Sequence, residues 1–179
     1  MNIYYHPLYT KGIDSKSTFP KERYDLIKEQ LVVSELSNII TIKTPTEVEI
    51  EDIYRAHAKE YVDAFLNSDL SEKQVREIGL KPWTNKIIQR TLLLTGGSLC
   101  ALDDIYNGAA VAANMAGGTH HAFRDRGSGF CIFNDLAICA IKAIEKYNYN
   151  RVLIIDLDVH QGDGTASILK DNDRAYTVA

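Results

Sequence analysis

Two apolar runs constrain the fold more than anything else in the chain. "AAVAANMA" at 109–116 and "RVLIIDLDV" at 151–159 are apolar over most of their length, and "DLAICAIKAIEKY" at 135–147 reads as a helix between them, with Asn134 placed to cap it. Continuously apolar strands are those covered on both faces, as in parallel sheets. Strand, helix and strand in that order make a β-α-β unit, whose crossover is right-handed in nearly every sheet that contains one. The expected class is α/β, a predominantly parallel sheet flanked by helices.

The remaining segments alternate in the same way. "NIYY" (2–5), "NIITIKT" (38–44) and "RAYTVA" (174–179) read as further strands. Residues 20–34 read as a helix opened by Pro20, with Leu26, Ile27 and Leu31 apolar along it. Residues 46–68 read as helical in two pieces around His57. Thr84 is placed to cap a long helix that stops at Gly108, and the Gly96-Gly97 pair inside it marks a close packing contact. A short helix over 164–170 precedes the last strand. At 179 residues the chain fits one domain with a substantial core.

Bulk properties narrow the function classes. A formal charge of −4 argues against a direct nucleic-acid partner and is compatible with a cationic substrate. No apolar run approaches the roughly 18–20 residues that span a bilayer, so no membrane partner is expected. The start, "MNIYYHPLYT", lacks the pattern of a signal peptide. Cys100, Cys131 and Cys139 form no CxxC pair, which fits a reduced, cytoplasmic setting.

Each apolar run leads into a polar cluster. "GGTHHAF" (117–123) follows the first and "LIIDLDVHQGDG" (153–164) contains the end of the second; between them they hold three of the five histidines. Ligands of open α/β sheets lie in the crevice beyond the strand carboxyl ends, so both clusters are expected on one rim, from neighbouring strands. In an extended segment Asp156, Asp158 and His160 would share one side. Carboxylate plus imidazole suits zinc or iron(II), and a catalytic site leaves one position open for water. Buried acids without a cation or donor are costly, so three here call for a metal or for histidine partners.

In order along the chain, "AGGTHHAF" (116–123), "GSGFCIFND" (127–135) and "VLIIDLDVHQGDGT" (152–165) resemble the histone deacetylase family of zinc-dependent amidohydrolases, its bacterial and class IV-like members most closely. The resemblance runs from "YYHPLY" to the final strand, and its specific motifs lie after residue 116. It implies that Asp158 and His160 are two of the metal ligands. His120 and His121 match the paired imidazoles beside the attacking water, with Asp156 and Asp163 orienting them in that order. Gly129 and Phe130 match the wall of a narrow tunnel for an acylated lysine. A monovalent-cation site, for K+, would use Asp156 with the backbone carbonyls of Asp158 and His160. The implied reaction is hydrolysis of the acetyl amide of acetyl-lysine or a small acetylated amine, with Zn2+ (or Fe2+) as cofactor. His121 is expected as the main general base and acid, with His120 an electrostatic helper.

The family's third zinc ligand and its oxyanion-donating tyrosine lie downstream of the D-x-D-x-H motif and have no place in residues 1–179. The chain is therefore expected to be a partial domain, its C-terminal portion missing, with an open sheet edge suited to a complementing chain or a homo-oligomer. The alternative is a catalytically inactive fragment or pseudoenzyme that needs a partner chain. A ureohydrolase-like enzyme with two manganese ions fits the motif order poorly. Cys131 and His57 read as packed residues rather than as a nucleophile or a ligand.

Overall fold

The structure is a computed structural model that describes residues 1–179. In chain order it contains β1 (Asn2–Tyr4), α1 (Leu8–Lys11), α2 (Arg23–Val33), a 3-10 turn (Glu35–Asn38), β2 (Thr41–Lys43), α3 (Ile50–Ala56), α4 (Lys59–Leu66), α5 (Glu72–Ile78), α6 (Ile87–Tyr106), β3 (Ala112–Asn114), α7 (Asp135–Glu145), β4 (Val152–Ile155), α8 (Asp163–Leu169) and β5 (Ala175–Val178). All strand pairs are parallel. The α/β expectation holds. Internal contacts divide the chain into two units, Met1–Val48 with Leu80–Gly117 and Glu49–Gly79 with Gly118–Ala179.

In the first unit the strands run in the order β2-β1-β3, with Ile3 beside Ile42 and Ala113. The long helix α6 packs against β1 and β3. Its two glycines are there for proximity. A Cβ on Gly96 would lie 1.9 Å from the Thr46 carbonyl oxygen, and one on Gly97 would lie 2.5 Å from the Tyr9 hydroxyl. Thr84 is not the helix cap: that position is Lys86, and the Thr84 hydroxyl donates to the Gly12 carbonyl at 2.9 Å. Gly108, with φ of +99°, follows the helix end as expected. Along α2, Leu26 and Ile27 are exposed and Tyr24 is the buried residue.

The second unit carries the polar clusters. Its α3 and α4 break at His57, as the sequence suggests. Helix α3 is tied to α7 by ion pairs from Lys142 Nζ to Asp52 (2.7 Å) and from Arg55 to Glu145 (2.6 Å), with Arg55 also on Asp52 at 3.0 Å. Asn134 caps α7, its side chain accepting the Ala137 amide at 3.0 Å. Strands β4 and β5 pair in register, Leu153 with Tyr176 and Ile155 with Val178.

Three further expectations need correction. The apolar run at 109–116 makes only three residues of strand, β3, which pairs with β1, while β4 pairs with β5; the two runs do not form one hydrogen-bonded neighbour pair. The second run leaves extended ladder structure after Ile155. The cause is aspartate chemistry: Asp156 Oδ1 accepts the Asp158 amide (3.0 Å), and Asp158 Oδ1 accepts the His160 amide (2.8 Å). Each is a side chain bonding its own backbone two residues on, which turns the chain. Asp156, Asp158 and His160 thus lie in successive turns rather than on one side of a strand. Nor is β4 covered on both faces, since Leu153, Ile155, Tyr176 and Val178 are exposed. No helix is long and apolar enough to cross a membrane.

Candidate active site

Two stretches of the second unit, 118–122 and 156–163, bring the predicted residues together. His120 Nδ1 lies 2.6 Å from Asp156 Oδ2, and His121 Nδ1 lies 2.8 Å from Asp163 Oδ1. An ionised carboxylate can only accept, so each imidazole donates from Nδ1, which leaves Nε2 as the ring nitrogen able to accept. The rings are stacked at a tilt, centroids 4.1 Å apart. His120 Nε2 is 3.9 Å from Asp158 Oδ1, and the His160 ring is 5.8 Å from that of His121. All four acids and imidazoles of the expected pairing are present and adjacent.

The two dyads differ in burial. In the first the side chains of His120 and Asp156 are 7% and 13% exposed; in the second those of His121 and Asp163 are 21% and 48% exposed. For Asp163 burial pushes the carboxyl up, but His121 and the Gly164 amide outweigh it and hold the group below the usual carboxylate range. Asp158 is also held low, first by the His160 amide and then by the His160 ring.

Glycines let backbone come this close. A Cβ on Gly162 would stand 2.6 Å from Asp156 Oδ2, and one on Gly164 2.4 Å from the Ala122 carbonyl oxygen. Gly129, at φ of +52°, lies over the His121 ring, where a Cβ would be 2.6 Å from Cδ2. Phe130 follows in the left-handed region at φ of +68°; its amide donates to the Ile78 carbonyl at 2.7 Å, and its ring remains partly exposed. Cys131 is buried, which raises its thiol to about 12 and leaves it a packing residue.

A divalent cation is only half provided for. Asp158 and His160 have the right donor chemistry, but no three His, Cys, Asp or Glu side chains stand in a metal-holding arrangement. Asp158 Oδ1 and His160 Nδ1 are 2.8 Å apart, hydrogen-bonded to one another. A tetrahedral zinc with bonds of 2.0–2.1 Å would hold such atoms about 3.3 Å apart. These residues fit a metal in kind and not in number. On its other side Asp156 borders a cavity of about 190 Å³ lined also by Gln161, Thr165 and Thr177.

Sequence reasoning missed what lies behind the histidines. Asp135 and Thr165 have no role in the sequence reading and Asn134 only that of a helix cap, while His57 is the packed residue it is expected to be. Asn134 and Asp135 close "GSGFCIFND" (127–135), the motif that follows the His-His segment, and that is the signal that points to them.

Known proteins are similar to this chain over most of its length. A family model described as "Histone deacetylase domain" matches residues 17–179. An uncharacterized protein of Picosynechococcus sp. is 39% identical over 176 residues, covering 98% of this chain and 58% of its own length. The acetoin utilization protein AcuC of Bacillus subtilis is 35% identical over 164 residues, 87% of this chain and 41% of that protein. AcuC of Staphylococcus aureus strain MSSA476 is 32% identical over 179 residues, covering 95% and 46%. The chain spans about half the length of the curated relatives it matches.

Proposed function

The chain belongs to the histone deacetylase family, and on that premise we propose that it takes part in hydrolysis of the acetyl amide of acetyl-lysine or a small acetylated amine. One observation carries this reading: two imidazoles 4.1 Å apart, each bonded through Nδ1 to its own carboxylate, beside the Asp158–His160 pair.

An amide carbonyl is a weak electrophile and neutral water a weak nucleophile. We read the site as zinc-dependent, with iron(II) the other candidate; a bound ion would polarise the carbonyl and acidify the water. Asp158 and His160 would be two of its ligands, with the remainder contributed by polypeptide other than residues 1–179. The chain's own residues handle the protons. His121, the more open imidazole, takes the proton of the attacking water at Nε2 and returns it to the departing amine. Asp163 holds its ring and offsets the charge it gains. His120 is enclosed with Asp156, which suits a fixed electrostatic role. Gly129 and Phe130 are read as the wall along which the acyl chain enters, and Asp156 with the Asp158 and His160 carbonyls as the K+ site.

Residues 1–179 are read as one portion of a larger deacetylase domain. The exposed apolar face of β4 and β5 supports contact with a complementing chain or a second copy. The three free cysteines support a cytoplasmic location.

The test is acetate release from an acetyl-lysine peptide by the assembled, zinc-supplied protein. His121→Ala should lower kcat by about 10²–10⁴. Turnover unchanged in that variant would remove His121 from the mechanism.

A further inference from the structure

Behind the two dyads lie two adjacent buried polar residues that the reaction does not use. Asn134 is 0% exposed and Asp135 1% exposed. Asp135 receives the entry to the histidine loop: its carboxylate accepts the amides of Gly118 (3.1 Å) and Thr119 (2.8 Å), and the Thr119 hydroxyl stands 2.6 Å from Oδ1. Asn134 receives the exit. Its Nδ2 donates to the Ala122 carbonyl (3.1 Å) and to the Thr165 hydroxyl (3.0 Å), with the His120 carbonyl at 3.4 Å. The same His120 carbonyl accepts the Thr165 amide at 3.0 Å. From the other side the Asn134 amide donates to His57 Nε2 at 2.8 Å.

We propose that Asn134 and Asp135 are positioning residues that clamp the 118–122 backbone from both ends, so that the His120 and His121 rings meet their carboxylates. The proposal rests on the reading of those histidines as the groups that hold and move protons. A helix cap needs only an acceptor, and serine, threonine or aspartate would serve as well as asparagine. The clamp needs more. Asn134 accepts from Ala137 with Oδ1 while its Nδ2 donates to Ala122; a serine or threonine hydroxyl can donate and accept only from one atom, whereas the amide does so from two atoms set apart. Asp135 meets the opposite demand, since the loop entry presents N–H and O–H donors. Catalytic side chains work only when held within about half an ångström of the productive geometry, and a backbone fixed at 118, 119, 120 and 122 supplies that.

The experiment reads the His120 Nδ1–H proton of the full chain by NMR. This proton lies in the enclosed 2.6 Å bond to Asp156 and gives a shifted, slowly exchanging signal only while the ring is in register. Asn134→Ser keeps a capping oxygen but cannot reach the Ala122 carbonyl; Asn134→Ala loses both functions. Thermal unfolding of each variant follows the cap separately. The clamp is supported if both variants lose the His120 signal while serine recovers the helix-cap stability that alanine loses. It is overturned if Asn134→Ser keeps the signal at wild-type intensity, for then Asn134 is a cap and nothing more. If Asn134→Ser does not fold, Asp135→Ala decides, since it removes the acceptor of the Gly118 and Thr119 amides: loss of the signal supports the clamp, retention overturns it. The signal requires no turnover, so failure of the clamp and failure of the deacetylase reading are separate results.

Discussion

At the scale of single residues the account depends on close approaches that any side-chain atom would spoil. Gly129→Ala would force a Cβ to within 2.6 Å of the His121 ring on a backbone already at φ of +52°. Strain of about 1–2 kcal/mol in that conformation is the smaller part of the effect. Displacement of the ring is the larger, and kcat for acetate release is expected to fall toward that of His121→Ala. Wild-type kcat in Gly129→Ala would show that the backbone over His121 is not fixed. Gly164→Ala meets the Ala122 carbonyl at 2.4 Å and should lower stability by about 1–3 kcal/mol, measurable by urea unfolding. The site was largely legible at this scale, because two histidines beside glycines and an alternating acid–imidazole trio are chemically unusual. Asn134 and Asp135 were not legible in these roles. What makes them a clamp is which carbonyls and amides fold onto them, and no local pattern encodes that.

At the scale of elements, order was readable and extent was not. The helix break at His57, the cap at Asn134 and the parallel pairing all follow from local signals, whereas β3 and β4 stop short of their apolar runs. Asp156 and Asp158 end β4 by bonding their own backbone, a competition that hydrophobicity does not register. The break between α3 and α4 also carries a pH dependence. His57 is buried and accepts the Asn134 amide at Nε2; burial lowers it from 6.5 to about 4. The unfolded chain therefore binds the proton first. Stability from this group is complete above pH 6.5 and is lost as pH falls toward about 4. From pH 6.5 to 5 the loss is about 1.5 kcal/mol. Denaturant titrations at those two pH values should give that difference in the wild type and a much smaller one in His57→Gln. An equal loss in both would assign the acid sensitivity elsewhere. Helix α5 offers a simpler check. Its Ser71–Gln74 capping box should cost about 1 kcal/mol on Ser71→Ala.

At the scale of the whole molecule, the unusual feature is an apolar face with nothing over it. Register puts Leu153 beside Tyr176 and Ile155 beside Val178, and Leu157 and Val159 beyond them are 91% and 92% exposed. Contiguous exposed apolar surface of this kind marks an interaction site. In sedimentation experiments the 179-residue chain is expected to associate as its concentration rises, and Leu157→Lys with Val159→Lys should weaken that association. A chain monomeric at every concentration would contradict it. The central claim is the proposed division of labour, in which Asp158 and His160 hold the ion, His121 moves the protons and His120 stays an electrostatic helper. Its most direct test is X-ray absorption at the zinc edge of the assembled, zinc-loaded protein. One imidazole nitrogen at about 2.0–2.1 Å is expected, lost in His160→Ala and unchanged in His121→Ala. Two or more bound imidazoles, or a spectrum unaltered by His160→Ala, would contradict the account.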